Sequence, residues 1–403
     1  MRGRMGRGID NIARIRGIAS TAFVACALGA CQSVGPVTSV GPATSDRPAV
    51  SDPSDEVHLS EGIKAELDAA IHDQLRARNL PSVAVSISVP GEDGYDRVVG
   101  TADLATGRAR ELADPFRIAS NTKTFVGLAI LQLEDEGRLA TTDAISTWFP
   151  GFPDAETITV ENLLRMRSGI PDPYDAEWLQ RYYDDPLLEQ TAADTIDLAA
   201  ARMDGSQPPD TETRYTNVNF VMLASIVEMT TGQPIQTAID ELIVQPLGLT
   251  GTVYPTGTEL PGDLHGYGWD ATTGAFDDKT ILNPEAPGGA GAMISTIADL
   301  KTYVRALCTG QLLQPETHAH QLDSQALAGA PPFVSYGEGI GIFGPMCGHT
   351  GTIMGFSTDM FYLSAIDATL IVSVNRLDVD DQSQSTPLTL ALTKIAFPDL
   401  VEW

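Results

Sequence analysis

With 403 residues, 43% of them hydrophobic and 19% charged, the chain has the make-up of a globular protein long enough for two or three domains. Its 53 acidic against 25 basic residues leave a formal net charge of −28. That balance argues against nucleic acid as a partner, because neutralising phosphates needs basic surface. The acidic residues are dispersed, as on a solvated surface.

In chain order, the N-terminus stands apart. Arg2, Arg4, Arg7, Arg14 and Arg16 make a basic segment ahead of the apolar run Ile18 to Ala30. A bilayer span needs roughly 20 apolar residues, so this shorter run fits the core of a signal peptide over residues 1–30. It ends in Leu28-Gly29-Ala30-Cys31, which resembles the lipobox of bacterial lipoproteins, where the cysteine is lipidated and becomes the first mature residue. An uncleaved anchor, or secretion after Ala25-Cys26-Ala27, is the alternative. The expectation is export with a lipid anchor at Cys31 on a bacterial membrane, periplasmic or at the cell surface. Residues 31–60 are rich in Ser, Pro, Gly, Thr and Val without periodicity and read as a flexible tether. Excising 1–30 removes 5 Arg and 1 Asp, which takes the net charge from −28 to −32. Of the remaining cysteines, Cys308 and Cys347 are expected to form one disulfide in an oxidising compartment, two buried thiols being the alternative.

The folded part is expected over 61–403. Gly62 to Arg78 repeats Ile63, Leu67, Ile71 and Leu75 at helical spacing, and Pro81 ends it. Val83 to Val89 alternates as a strand, Gly91 to Gly94 turns, and Tyr95 to Val99 returns as a second strand. Thr122 to Glu136 is helical, closed by Gly137. Residues 138–275 read as a mainly helical subdomain, with short helices at Val160 to Met166 and Asn219 to Thr231. Thr296 and Asp299 resemble a capping box opening a helix to Leu307. Strand signals return at Tyr336 to Phe343, Thr358 to Ser364 and Thr369 to Val374. Strands at both ends with helices between predict an α+β fold. An antiparallel sheet would be built from N- and C-terminal segments, flanked by helices, with the helical subdomain inserted.

Three short motifs carry chemistry: Ser120-Asn121-Thr122-Lys123, Tyr215-Thr216-Asn217 and His349-Thr350-Gly351. A serine and a lysine three apart at a helix start share one face, and the serine's own N–H is among the unpaired amides of the first turn. A serine hydroxyl needs an adjacent base, which Lys123 supplies if burial keeps it deprotonated. Each motif alone also reads as ordinary structure: an N-cap serine with a surface lysine, a core tyrosine, a strand-edge histidine.

Together, at spacings of 95 and 134 residues, Arg117 to Phe125, Arg214 to Phe220 and Cys347 to Thr352 resemble the penicillin-recognising serine hydrolases. That superfamily holds D-Ala-D-Ala peptidases and class C β-lactamases. Gly348-His349-Thr350-Gly351-Thr352 is most similar to the secreted DD-carboxypeptidases, since class C β-lactamases usually have lysine at the position of His349. The stretches Leu163 to Pro171 and Gly289 to Leu300 also look familial. The resemblance implies an acyl-enzyme on Ser120, with proton transfers shared by Lys123 and Tyr215, the latter as a phenolate. Asn217 would bind the substrate's amide. His349, Thr350 and Gly351 would lie on a sheet edge beside the substrate, with the Thr352 amide as second oxyanion donor. The expected function is that of a D-alanyl-D-alanine carboxypeptidase, with peptidoglycan stem peptide or an ester as substrate. Esterase or D-amino-acid amidase, then β-lactamase, and last a silent cell-wall binding protein are the alternatives. No cofactor and no metal are expected: His318 and His320 read as a solvated loop, Asp378 to Asp381 as a solvated turn, and Gly339 to Gly344 leads into no helix.

Overall fold

The computed structural model describes residues 59–270, 272–378 and 383–401. The expected signal segment, Cys31 and the tether up to residue 58 lie outside these. Leu59 is buried and Ser60 caps the first helix, so the folded part begins inside the expected tether.

Helix α1 (Glu61–Ala77) starts where Ser60 Oγ accepts from Ile63 N at 3.3 Å, and it buries Leu67 and Ile71. The chain then lays down β1 (Ser82–Ser88), β2 (Tyr95–Asp103), β3 (Arg108–Ala109) and β4 (Phe116–Arg117) before helix α2 (Thr122–Asp135). The middle carries α3 (Val160–Leu164), α4 (Ala176–Asp184), α5 (Ala192–Ala200), α6 (Val218–Thr231), α7 (Ile235–Ile239) and α8 (Gln245–Leu247). The hairpin β5 (Tyr267–Asp270) and β6 (Ala275–Asp278) follows, then β7 (Ile294–Ser295) and α9 (Ile297–Cys308). His318 and His320 lie not in a loop but on α10 (Pro315–Leu322), which Pro315 opens. The C-terminal part adds β8 (Gln325–Ala326), β9 (Val334–Tyr336), β10 (Gly341–Phe343), β11 (Met346–Ile353), β12 (Phe356–Leu363), β13 (Ala368–Val374) and α11 (Thr386–Ala396).

Among the described residues, nine strands form one antiparallel sheet in the order β3-β2-β1-β13-β12-β11-β10-β9-β8. Strand β1 is buried along almost its whole length, so both faces of the sheet are covered. Neighbouring residues on β2 show how: Tyr95 reaches Asp68 of α1 at 2.6 Å, while Asp96 faces Lys301 of α9 at 3.8 Å. Helices α1 and α11 therefore cover one face, and α9 the other. The Phe125 and Tyr303 rings stack at 3.6 Å and lock α2 onto α9.

The strand expected over Tyr336 to Phe343 is broken in two. Gly339 takes a φ of +70° in the turn between β9 and β10, where Gly337 N bonds Ile340 O at 2.8 Å. Thr296 caps α9 by accepting from Asp299 N at 3.3 Å, but the box is half-made. The Asp299 carboxylate turns instead to Gly251 N and Thr252 Oγ1, both at 2.7 Å, and so ties down the end of the helical region. Cys308 and Cys347 are bonded, joining the end of α9 to the start of β11. Among the described residues, no helix is long and apolar enough to cross a membrane.

Candidate active site

The site is built where α2 meets the sheet. Ser120 sits in a single 3-10 turn, Ala119–Asn121, directly ahead of α2. Ala119 has a φ of +51°, a costly conformation for a residue with a Cβ, and it bends the chain so that Ser120 faces outward. The turn is clamped from both sides. Ile118 N bonds Met293 O and Met293 N bonds Thr122 Oγ1, each at 3.0 Å, which draws the glycine-rich segment 288–295 alongside. On the other side Gly351 of β11 passes so close that a Cβ there would lie 2.9 Å from Ser120 N.

Lys123, one turn on from Ser120 and second residue of α2, is completely buried. Its Nζ lies 3.0 Å from Ser120 Oγ, 2.9 Å from Asn217 Oδ1 and 2.7 Å from the Ala290 carbonyl. Burial pulls its pKa down to about 7, against the opposing pull of Asp172. The geometry decides what the neutral amine does. Asn217 Oδ1 and Ala290 O only accept, so they take its two hydrogens. The lone pair is left pointing at Ser120 Oγ. Ala290 was not visible as a site residue in the sequence, though the Gly289 to Leu300 stretch that holds it was.

Asn217 stands at the N-cap of α6, yet its side chain caps nothing there. Its Nδ2 donates to Asp172 Oδ2 at 2.8 Å while Oδ1 holds Lys123, so both ends of the amide are committed. Asp172 is the second residue that the motifs missed; it follows directly on Leu163 to Pro171. Burial raises its carboxyl above the usual range, with bonds from Tyr174 N and Asn217 opposing. Tyr215 lies 4.9 Å, ring centroid to Nζ, from Lys123. Burial raises its phenol far beyond the ordinary value, and a hydrogen bond with Ser120 offsets only part of this. The resting Tyr215 is therefore a neutral hydroxyl rather than the phenolate that the resemblance implied.

His349 departs most from expectation. It is completely buried and does not line the cavity. Nδ1 bonds the Thr350 carbonyl at 2.5 Å, so Nδ1 carries the hydrogen, and Nε2 accepts from the Tyr336 hydroxyl at 3.1 Å. Burial, with Lys123 nearby, pushes its pKa down to about 3, so the ring is uncharged at neutral pH. Thr350, Gly351 and Thr352 do reach the cavity. They lie beyond Gly348, the last residue that β11 pairs with β10, so this half of β11 is the open edge that was expected.

The cavity in front of Ser120 measures about 200 Å³. Tyr215, Asn217 and Asp172 line its inner side, and a ladder of rings forms one wall. Tyr174, Trp178 and Tyr182 recur every four residues, and their rings stack at 3.9 and 5.0 Å. Trp178 Nε1 bonds Gln190 Oε1 at 2.7 Å, which fixes the ladder. Ile353, Met354 and Leu377 add apolar surface, and among the described residues the charged ones in the lining are Asp172 and Asp378. Asp378 is not a solvated turn residue: it pairs with Arg376 and accepts from Trp269 N at 2.8 Å. Gly339 to Phe343 belong to the β9–β10 hairpin, and Gly344 lies in the turn from β10 to β11. No group of three or more His, Cys, Asp or Glu among the described residues is placed to hold a metal ion.

Comparison with known proteins agrees with this geometry. A family model described as Beta-lactamase matches residues 67–393. Esterase EstB of Burkholderia gladioli is 32% identical over 203 residues, 46% of this chain and 50% of that protein. Protein flp of Staphylococcus aureus is 26% identical over 253 residues, 61% of this chain and 49% of its own length. The chain thus spans about half the length of the curated relatives it matches. Among solved structures, a D-stereospecific amidohydrolase from Streptomyces sp. superposes with a TM-score of 0.70 at 26% identity, covering 82% of this chain and 98% of that one. The D-amino acid amidase of Ochrobactrum anthropi SV3, complexed with L-phenylalanine amide, shares the fold at a TM-score of 0.73 and 24% identity over 83% of this chain and 99% of its own.

Proposed function

The chain belongs to the Beta-lactamase family of serine hydrolases, and on that premise we propose that it forms an acyl-enzyme on Ser120 with a neutral amide or ester bearing an apolar, aromatic group. The cavity wall carries this reading: stacked rings, aliphatic side chains and two carboxylates, with no lysine or arginine among the described lining residues. Asp378 is already paired with Arg376, so a substrate ending in a free carboxylate meets like charge from Asp172, at a cost on the order of 1 kcal/mol even in a watery dielectric. An aromatic group gains roughly 25 cal/mol for each Å² it buries. The amidase solved with L-phenylalanine amide and the similar esterase lend support.

In the reaction, neutral Lys123 takes the proton from Ser120 as Oγ attacks the carbonyl carbon. The amides of Ser120 and Thr352 hold the oxyanion. The Lys123 ammonium, relayed by the Tyr215 hydroxyl, returns the proton to the departing nitrogen or oxygen, and water then releases the acyl group by the reverse transfers. The hydroxyl-bearing Thr350 and Thr352 on the cavity wall support a second reading, in which they take the carboxylate of a D-Ala-D-Ala end.

The test offers wild type and Ser120→Ala the enantiomers of phenylalanine amide, a p-nitrophenyl ester, a D-Ala-D-Ala tripeptide and fluorescent penicillin. Ser120-dependent turnover of amide or ester without D-Ala release supports the proposal. D-Ala release with stable penicillin labelling moves it to carboxypeptidase, penicillin turnover to β-lactamase. Absence of any Ser120-dependent reaction removes it. Export with lipidation at Cys31 is carried as a separate proposal, which a mature protein lacking acyl mass at Cys31 refutes.

A further inference from the structure

Asp172 is the carboxylate of the cavity wall that is tied into the nucleophile's own hydrogen-bond network. Its Oδ2 accepts from Asn217 Nδ2 at 2.8 Å and from Asn217 N at 3.3 Å, and its Oδ1 accepts from Tyr174 N at 3.2 Å. The chain continues from Asn217 Oδ1 to Lys123 Nζ at 2.9 Å and on to Ser120 Oγ at 3.0 Å. We propose that Asp172 is a positioning residue, which through Asn217 keeps the lone pair of Lys123 on Ser120 and sets how readily that amine takes a proton. This rests on the acyl-enzyme reading of Ser120.

Two physical effects carry it. The first is orientation. Turning the Asn217 amide over would set its oxygen against the carboxylate, which repels it, and its NH₂ against Lys123, where it would donate to the lone pair that Ser120 needs. Asp172 therefore selects the rotamer in which Asn217 accepts from Lys123. Without that choice, Asn217 ceases to be a fixed acceptor and the Lys123 lone pair is no longer committed to Ser120. The second is charge. The titratable groups around Lys123 are Asp172 from the loop ahead of α4, Tyr215 ahead of α6 and His349 on β11. Tyr215 and His349 are uncharged near neutral pH, so Asp172 supplies the local charge that opposes desolvation of the ammonium.

Asp172→Asn keeps the shape and an acceptor oxygen but drops the charge; Asp172→Ala removes both. Protein labelled with [ε-¹³C]lysine, the Lys123 signal assigned by its loss in Lys123→Arg, reports the titration directly and needs no substrate. In Asp172→Asn the Lys123 midpoint should fall by about one pH unit, the other lysines staying in place. The acid limb of kcat/KM should fall with it. In Asp172→Ala, kcat should drop at least tenfold with KM little changed, and Asp172→Asn should recover most of that loss. An unmoved Lys123 midpoint overturns the proposal, and so does an Asp172→Ala protein with wild-type kcat. If Asp172→Ala does not fold, the midpoint and acid limb of Asp172→Asn decide alone. Turnover that survives in Ser120→Ala refutes the acyl-enzyme reading instead, and leaves the lysine titration to be read by itself.

Discussion

Gly351→Ala adds one methyl group where β11 presses against the turn that carries Ser120. The new Cβ would lie 2.8 Å from Asn121 Nδ2 and 2.9 Å from Ser120 N, with the Ile118 carbonyl oxygen closer still. Ordinary contact begins at 3.4 Å, so β11 and the nucleophile turn must part by more than half an ångström. Neither side yields easily. The turn is pinned to Met293 by a 3.0 Å bond, and β11 is paired with β12 along its whole length. Overpacking of this kind costs about 1–3 kcal/mol of stability. The kinetic loss should be larger in proportion, because a shift approaching 1 Å between reacting groups lowers rates roughly 100-fold. The assay is ester turnover beside thermal unfolding, with Gly62→Ala as the control, since a Cβ there meets only Ser60 Oγ at 3.7 Å. A Gly351→Ala enzyme with wild-type kcat/KM and an unchanged Tm would refute the packing argument.

Three further outcomes follow from other parts of the molecule. Trp178→Leu should lower the preference for an aromatic over an acetyl substrate about tenfold, since ring contacts contribute roughly 0.5–1.5 kcal/mol beyond area burial; an unchanged ratio means the ladder does not touch substrate. The buried Asp359 carboxyl is pushed up to about 6 by burial despite bonds from Thr389, Ser385 and Thr386. Its contribution to stability is complete below the ordinary carboxyl range and lost as pH rises through 6. Asp359→Asn should therefore flatten the fall in unfolding free energy from pH 4 to 7, and parallel curves for the two proteins would contradict this. Opening the Cys308–Cys347 bond, which closes a separation of 39 residues, should cost about 4 kcal/mol on a chain-entropy basis. Equal urea midpoints with and without reductant would exclude that.

Sequence reading succeeded where a residue's chemistry and its local geometry coincide. Ser120 and Lys123, three residues apart, meet across one turn of chain whether that turn is 3-10 or α, and the Ile63, Leu67, Ile71, Leu75 stripe has one physical reading. It failed where a role is assigned by distant chain. Asp172 looks like any loop aspartate until Asn217, 45 positions on, donates to it. Ala290 contributes only a carbonyl, which every residue has. His349 carried the right motif, but the sequence could not show that Tyr336 and the Thr350 carbonyl would occupy both ring nitrogens. Strand β11 was legible only as an edge beside the substrate, because Gly348 and Gly351 weaken its strand pattern while making its close approaches possible.

The strand order has a consequence for how the molecule comes into being. Strand β1, near the start of the folded part, pairs with β13, near its end, so that Val83 is matched to Val374. Closing so long a loop must precede any gain from the pairing, which places the protein among slow folders. A nascent chain therefore cannot complete its sheet until nearly all of it has been synthesised. A truncation before β13 should yield no stable smaller unit, because β1 and β2 would be left as an unpaired hairpin with an open, aggregation-prone edge.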